Sequence, residues 1–466
     1  MTEVAEPSTV PGRPARPPRR AATDLPFSWV DRALVEAIAD AHDEPGWLRD
    51  DRLVALVASE ALAVESNRLY TPYVDLRAAS LDGATPVLWQ ANGEGIASTP
   101  AGDGVAARIE LREDGLGGRF LDPEVRASGV RVLTLPELVA QDEPLARSLL
   151  ERAPLLPHQE KLAELSRAAW STGVVVHVPA GVRVERPIVL RWTLGSRRSL
   201  IGRTFLILED GAEASVVEEL VAADGMEPGV QALFSATTEI RLGARARLAM
   251  ASLQELGPDH VVFQQRRADI GEAADLRWAL AQLGGRLVRS RVDNVLAGDR
   301  STVEQVEIVF GGEDQLHDLT SYTRHVGRDT TGQLLSKGVL LDRARSYMKG
   351  LIQIEKTAIG TDSYLGEFGM NLSKHARAVA VPSLEIDQPD CRRAAHSSSV
   401  GPIDETQLFY LESRGIGPDE ARKFIVLGFL EPVVVRVPLE EAQDRLRDAL
   451  EAKWSAGLAA GSATAA

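Results

Sequence analysis

The feature that most restricts the fold is a turn element that returns at a nearly fixed interval. It reads Gly, two variable residues, a small or hydroxyl residue, then alternating apolar positions. It occurs as GAEA from Gly211, GARA from Gly243, GEAA from Gly271, GDRS from Gly298 and GRDT from Gly327, at intervals of 32, 28, 27 and 29 residues. Echoes follow as DRARS from Asp342 and GTDS from Gly360. Such a period marks stacked supersecondary units, each burying its apolar face on its neighbour. Glycine suits the corner of a β-coil because that corner asks for unusual backbone angles. The small residue after it lets successive coils approach closely. A run of hairpins with glycine turns is the competing reading; the spacing favours a solenoid.

The repeat occupies the middle of the chain. GVVVHVPAGVRVERPIVLRW (173–192) is dense in Val and broken by Pro179, Gly181 and Pro187. Short β-rich segments continue to about residue 400, making the chain mainly β. Helical spacing holds on both sides. Ser28 can cap a helix through Val30, Leu34, Ile38 and Ala41, which Pro45 and Gly46 break. A second helix runs through Leu53, Leu56 and Leu62, and residues 135–170 return to helix. After residue 402, Asp404 can cap DETQLFYLESR and Gly415 stops it. Gly417 and Pro418 open the next helix, which Pro432 ends. LEEAQDRLRDALEAKW then places Leu439, Ala442, Leu446, Ala449 and Leu450 in one stripe. The expected units are a disordered tail (1–23), an N-terminal helical domain (24–172), a β-solenoid core (173–401), a C-terminal helical domain (402–454) and a second disordered tail (455–466).

Charge and cysteine content exclude several function classes. Net charge is −15 and the pI is near 5.2, which argues against general nucleic-acid binding. The one basic run, PGRPARPPRR, reads as a Pro- and Arg-rich tail. A single cysteine, Cys391, allows neither an intramolecular disulfide nor a four-thiolate site from this chain, and points to the cytoplasm. No signal-like apolar stretch follows the N-terminal arginines, and FIVLGFL (424–430) is far shorter than the ~20 residues of a spanning helix.

No phosphate-binding, dinucleotide-binding or hydrolase-elbow motif is present, so catalysis by this chain is not expected. His317, Asp318 and His325 lie close together; two His and one Asp can bind a transition metal, and 317 and 325 share strand parity. The plainer reading is hydrogen-bonded side chains on a coil. Glu355 with Asp362 suits a polysaccharide-cleaving pair in form, but the chain lacks aromatic platforms, and solvated carboxylates are the simpler account. Cys391 and His396 are five apart, an odd separation that puts them on opposite faces of a straight strand. His396 sits where the β region hands over to helices, followed by three serines, and stands as a ligand candidate against the reading of an ordinary surface histidine.

The segment HSSSVGPIDETQLFYLESRGIGPDEARKFIVLGFLEPVV (396–434) resembles the C-terminal signature of the SufB/SufD family. VPAGVRVERPIVL (178–190), LSKGVLLDRARSYMKGLIQIEK (335–356), HDEPGWLRDDRLVAL (42–56) and SNRLYTPYVDL (66–76) are similar to further stretches of it. The resemblance implies a right-handed parallel β-helix flanked by N-terminal and C-terminal α-helical domains. It implies a scaffold in iron–sulfur cluster assembly that pairs with SufB through the β-helix. It also implies binding of a SufC ATPase through the C-terminal helices, where Leu408, Phe409, Tyr410, Arg414, Phe424 and Phe429 are the expected contacts. The coil GEFGMNLSK (366–374) has no Cys and Ser397 follows the signature His, which sides with SufD rather than SufB. The thiol two residues before that His is absent, as Ala394 stands there. On this reading His396 lies at the SufB interface and no cofactor is held stably, a transient cluster being shared with SufB. A SufB-like or homodimeric member and, remotely, a carbohydrate-active β-helix enzyme are the alternatives.

Overall fold

The computed structural model describes residues 25–86, 88, 104–113, 115–156, 159–195, 198–225, 227–437 and 439–464, the last seven by their backbone alone. The tail 1–23 therefore lies outside the described residues. The N-terminal part contributes helices α1 (Arg32–Ala41), α2 (Gly46–Ala61), α3 (Pro123–Ala127), α4 (Leu135–Gln141), α5 (Glu143–Leu150) and α6 (Lys161–Ala169). It also contributes strands β1 (Ala107–Arg112), β2 (Gly115–Leu121) and β3 (Arg131–Thr134). Asp31, rather than Ser28, caps α1, because its carboxylate stands three residues ahead of the Leu34 N–H and accepts from it at 2.9 Å.

Residues 24–172 are thus not wholly helical. ARIELR alternates buried and more exposed residues, and Ile109 and Leu111 join the interior of the solenoid. A free sheet edge recruits a segment with that period. β1 runs parallel to the first strand of one sheet with β2 antiparallel outside it, and β3 runs antiparallel to the first strand of the other.

The following chain forms a parallel β-solenoid of about eight turns whose strands alternate between two sheets. The first sheet holds β4 (Thr172–Val178), β6 (Leu200–Leu208), β8 (Ala232–Leu242), β10 (His260–Ile270), β12 (Leu287–Leu296), β14 (Leu316–His325), β16 (Arg345–Ile354) and β18 (Arg377–Ile386). The second holds β5 (Ile188–Leu194), β7 (Glu213–Ala222), β9 (Arg247–Glu255), β11 (Asp275–Gln282), β13 (Thr302–Gly311), β15 (Thr331–Leu340), β17 (Asp362–Asn371) and β19 (Arg393–Pro402). Inward-facing residues, among them Val176, Trp192, Leu206, Phe234 and Trp278, fill the early coils.

One corner repeats down the stack. Gly181, Gly211, Arg245, Ala273, Arg300, Asp329 and Gly360 all hold left-handed backbone with φ of 54–76°. Each donates its N–H to a carbonyl of the following coil, as Arg245 does to Glu272 at 2.7 Å and Ala273 to Asp299 at 2.8 Å. Four of the repeat glycines sit two residues earlier and are needed for a different reason. A Cβ on Gly243 would stand 2.7 Å from the backbone N of Asp210, and one on Gly271 2.6 Å from the carbonyl of Leu242. One on Gly298 would stand 2.5 Å from the Cα of Glu272 and closer still to its backbone N. These glycines stack coil on coil; the unusual φ falls on the residue two positions later. Gly211 occupies the left-handed position itself, so it is out of phase with the other four.

The helical parts cover opposite outer faces. Leu162 and Leu165 of α6, with Val64 and Leu81, pack on Leu233, Val261, Phe263, Leu287 and Leu316 of the first sheet. Charges seal the same seam: Arg289 bridges Asp318 at 2.5 Å and Glu65 at 3.0 Å, Lys349 pairs with Asp318, and Arg291 reaches Glu160 at 2.9 Å. Three helices follow β19: α7 (Glu405–Ser413), α8 (Pro418–Val434) and α9 (Glu440–Thr464). Asp404 caps α7, and Gly415 follows it with φ +89°. Pro432 lies inside α8, which continues to Val434. α9 runs through most of the segment expected as a tail, where alanine favours helix. Val426, Leu430 and Val433 of α8 and Leu446, Leu450 and Trp454 of α9 pack on Ala251, Leu253, Ala279, Ala281, Val306 and Ile308 of the second sheet. The small alanines let the helix pair sit close to the strands.

Candidate functional site

The two ends of the solenoid differ. At the first, the antiparallel strands β2 and β3 are the outermost of their sheets; at the other, the parallel strands β18 and β19 are. An outermost strand leaves one row of N–H and C=O groups free of ladder partners, a template for another chain. Most of β19 is exposed and most of β18 half-buried, and each shows an apolar side chain to solvent: Ile386 is 45% and Val400 39% exposed.

His396 stands on this end. Its register partner is Leu365 of β17, which is buried among Leu334, Ile352 and Ala358, so parity puts Ala394, His396, Ser398 and Val400 on the coil-facing side of β19. β18 of the opposite sheet packs close to β19, and Leu384 of β18 joins the apolar group that Ala394 lines, while His396 itself is exposed. On the outward side the Tyr364 and Ser397 hydroxyls meet at 2.5 Å, and Arg393 pairs with Asp362 at 2.6 Å. Cys391 lies in the turn before β19, outside strand geometry, so the parity argument made for it does not apply. It is half-buried against the same apolar group as Ala394. Among the described residues no three of His, Cys, Asp and Glu are grouped to hold a metal ion.

The other sequence candidates fall elsewhere. His317 and His325 do share the inward face of β14, but at opposite ends of the strand, while Asp318 faces outward to Arg289 and Lys349. Burial pushes His317 down to about 3 and His325 down to about 4. His325 bonds Thr330 at 2.8 Å and Ser363 at 3.0 Å. Glu355 pairs with Arg324 at 2.7 Å and Asp362 with Arg393, so neither is poised for sugar chemistry.

The C-terminal helices present a second surface. α7 buries none of its side chains, and Phe409, Tyr410 and Phe424 are 71%, 56% and 57% exposed. Arg414 is exposed over the Tyr410 ring at 5.2 Å, and Leu408 is half-buried. Phe429 is turned towards the solenoid: Lys337 of β15 donates to its carbonyl at 2.6 Å and lies 4.6 Å over its ring. Two more polar clamps hold α9, residues that sequence reasoning did not single out. Arg445 pairs with Glu219 of β7, and Lys453 donates to the carbonyl of Leu283 and to Gln315 at 2.9 Å. Burial works to raise the Glu219 pKa, but Arg445 and Arg191 outweigh it and hold the carboxylate low. Burial pushes Lys453 down to about 7. No local pattern marks these residues, because each clamp joins positions more than 100 apart.

No helix among the described residues is long and apolar enough to cross a membrane. Residues 192–429 match the profile of the family described as SUF system FeS cluster assembly, SufBD core domain. The chain is 26% identical over 441 residues to the iron–sulfur cluster assembly protein SufD of Bacillus subtilis, covering 91% of this chain and 98% of that one. It is 26% identical over 329 residues to an iron–sulfur cluster assembly SufBD family protein of Staphylococcus epidermidis, covering 70% of each. A SufBD family protein of Staphylococcus saprophyticus is 26% identical over 288 residues, 62% of this chain and 61% of that one.

Proposed function

The chain belongs to the SufBD family of the SUF iron–sulfur cluster assembly system, and from that premise we propose that it is the SufD-type scaffold, pairing with SufB and gripping the SufC ATPase in the cytoplasm. The observation that carries this reading is the far end of the solenoid, which finishes in two parallel edge strands, β18 and β19, with the exposed His396 on the second. A partner β-helix that docks on β18 and β19 meets that imidazole. Thiolates suit iron–sulfur chemistry and imidazole can replace one on iron. With one cysteine in the chain, most thiolates for a nascent cluster come from the partner. A site of mixed ligands held between two subunits releases its cargo more readily than four thiolates on one.

The C-terminal helices supply the motor contact. Phe409, Tyr410, Arg414 and Phe424, with Leu408 behind them, form the surface offered to SufC. Phe429 acts from the other side of α8 by fixing it to Lys337. ATP-driven movement of SufC pulls α7 and α8, and the packed seam with its Lys337, Arg445 and Lys453 clamps passes the strain to the coils. The chain itself carries out no bond chemistry in this scheme. Replacing His396 with Ala is expected to lower cluster formation in anaerobic reconstitution with SufB and SufC, read by visible absorption, while the complex still elutes intact. Unchanged cluster formation refutes the role. Coexpression decides between this reading and a homodimeric member, since a SufD-type chain prefers SufB to itself.

A further inference from the structure

Strand register lines up an inward column on the second sheet: Glu218, Ser252, Leu280, Glu307, Ser336, Glu367 and Ser398 follow one another from β7 to β19. Neighbouring strands are ~4.8 Å apart, so each side chain stacks on the next. Three carboxyl groups therefore lie inside the coil, yet they are treated differently. Glu218 has an ion-pair partner, Arg266 of β10 at 3.3 Å, and accepts from Ser252 at 2.6 Å. Glu307 and Glu367 are each only 2% exposed, and each keeps a carboxyl oxygen with no hydrogen-bond partner. The Nε of Arg266, itself 1% exposed, is also without one.

Burial disfavours the charged form of an isolated carboxylate, so each binds its proton more tightly than it would in water. The groups facing the pair leave little alternative. Glu307 is met by the positive charge of Arg266 from β10, and Glu367 by the charge of Glu307 and the backbone N–H of Val381 on β18. From β16, Gly350 opposes Glu367, and a Cβ there would lie 2.8 Å from its Oε1; the phenol of Tyr70 bonds the Gly350 carbonyl. Burial, the largest cause in both cases, pushes Glu307 up to about 7 and Glu367 up to about 8.

We propose that Glu307 and Glu367 are a proton-storing pair inside the last coils, with Ser336 between them in register and solvent reached at Ser398. Ser336 stands between the two in register, and Ser398, which is exposed, stacks on Glu367. Each carboxylate that takes up a proton loses one negative charge, and nothing else is consumed. The use of such a store rests on the function proposed above: thiols and sulfide that ligate iron at the open end release protons, and each of the two carboxyls that is ionised at that moment takes up one.

The test uses the full chain without partners, so its outcome is independent of cluster assembly. Infrared spectroscopy is expected to show a protonated-carboxyl band at pH 6 that titrates away as pH rises. E307Q and E367Q should each remove part of it and the double variant both parts, leaving only the share of Glu160, which burial also pushes up to about 7, with circular dichroism unchanged. H396A should leave it intact. Deuterium exchange gives direction: E367Q should slow exchange at Glu307, whereas E307Q should leave exchange at Glu367 fast. No acid band at pH 6, a band undiminished by the double substitution, or equal exchange in the two single variants overturns the proposal.

Discussion

Gly298→Ala isolates the reason the coils tolerate only glycine at four turns. The backbone at Gly298 is not left-handed, so alanine meets no φ penalty there. Considered alone, the change lowers the entropy of the unfolded chain and stabilises by ~0.4–1 kcal/mol. Against that stands the new methyl, 2.5 Å from the Cα of Glu272 and nearer to the backbone N of Glu272 and C of Gly271. These are backbone atoms held in a ladder, not the far end of a flexible side chain, so the two coils must part. Overpacking of this kind costs ~1–3 kcal/mol. Net destabilisation of ~1–2 kcal/mol is expected from these two opposing effects. Gly428 in α8 has nothing within 4 Å of its Cβ position, and Gly428→Ala should stabilise by up to ~1 kcal/mol. Urea unfolding followed by tryptophan fluorescence measures both. Hydrogen exchange should locate the G298A loss in the coils of β11 to β14. G298A as stable as the parent would refute the stacking argument, and the corner would then be conformational after all.

Asp318→Ala leaves the buried Arg289 and Lys349 with Glu65 as the one carboxylate between them, and should cost ~3–5 kcal/mol by denaturant titration. Leu430→Ala empties a fully buried position between α8 and the second sheet; a loss of ~2–5 kcal/mol and earlier proteolytic release of the C-terminal helices are expected. The Glu307 and Glu367 pKa values are raised above their unfolded value, so the folded state binds more protons than the unfolded one between about pH 4.5 and 8. The contribution of this pair to stability should therefore fall as pH rises through that window, and the difference between the parent and the double Gln variant should shrink with it. Phe409→Ala with Phe424→Ala should weaken capture by SufC without changing the melting temperature, since neither ring is packed.

Local pattern carried a good part of this molecule. The near-30-residue return of a glycine turn identified stacked coils, and Asp404, Gly417 and Pro418 marked the helix starts that the structure has. The apolar stripe of the last helix, from Leu439 to Leu450, is the face that docks. Where local pattern failed, a long-range partner decided. ARIELR is a strand because the edge of β5 accepts it, and α9 continues because nothing in its sequence stops an alanine-rich segment. Pro432 does not end α8, whose last turn stays packed on the second sheet.

The candidate site divides the same way. The sequence by itself determined that a histidine would stand at the junction of β-coils and helices, because chain order alone places residue 396 there. It also determined how often a coil closes, since that spacing is a property of the chain. Only the tertiary structure decided that this end of the solenoid finishes in two parallel edge strands with His396 exposed on one, that Phe429 faces inward, and that three glutamates far apart in sequence share one interior column. Register and burial create those relations, and they arise only when strands from different coils stand side by side at a single, definite offset.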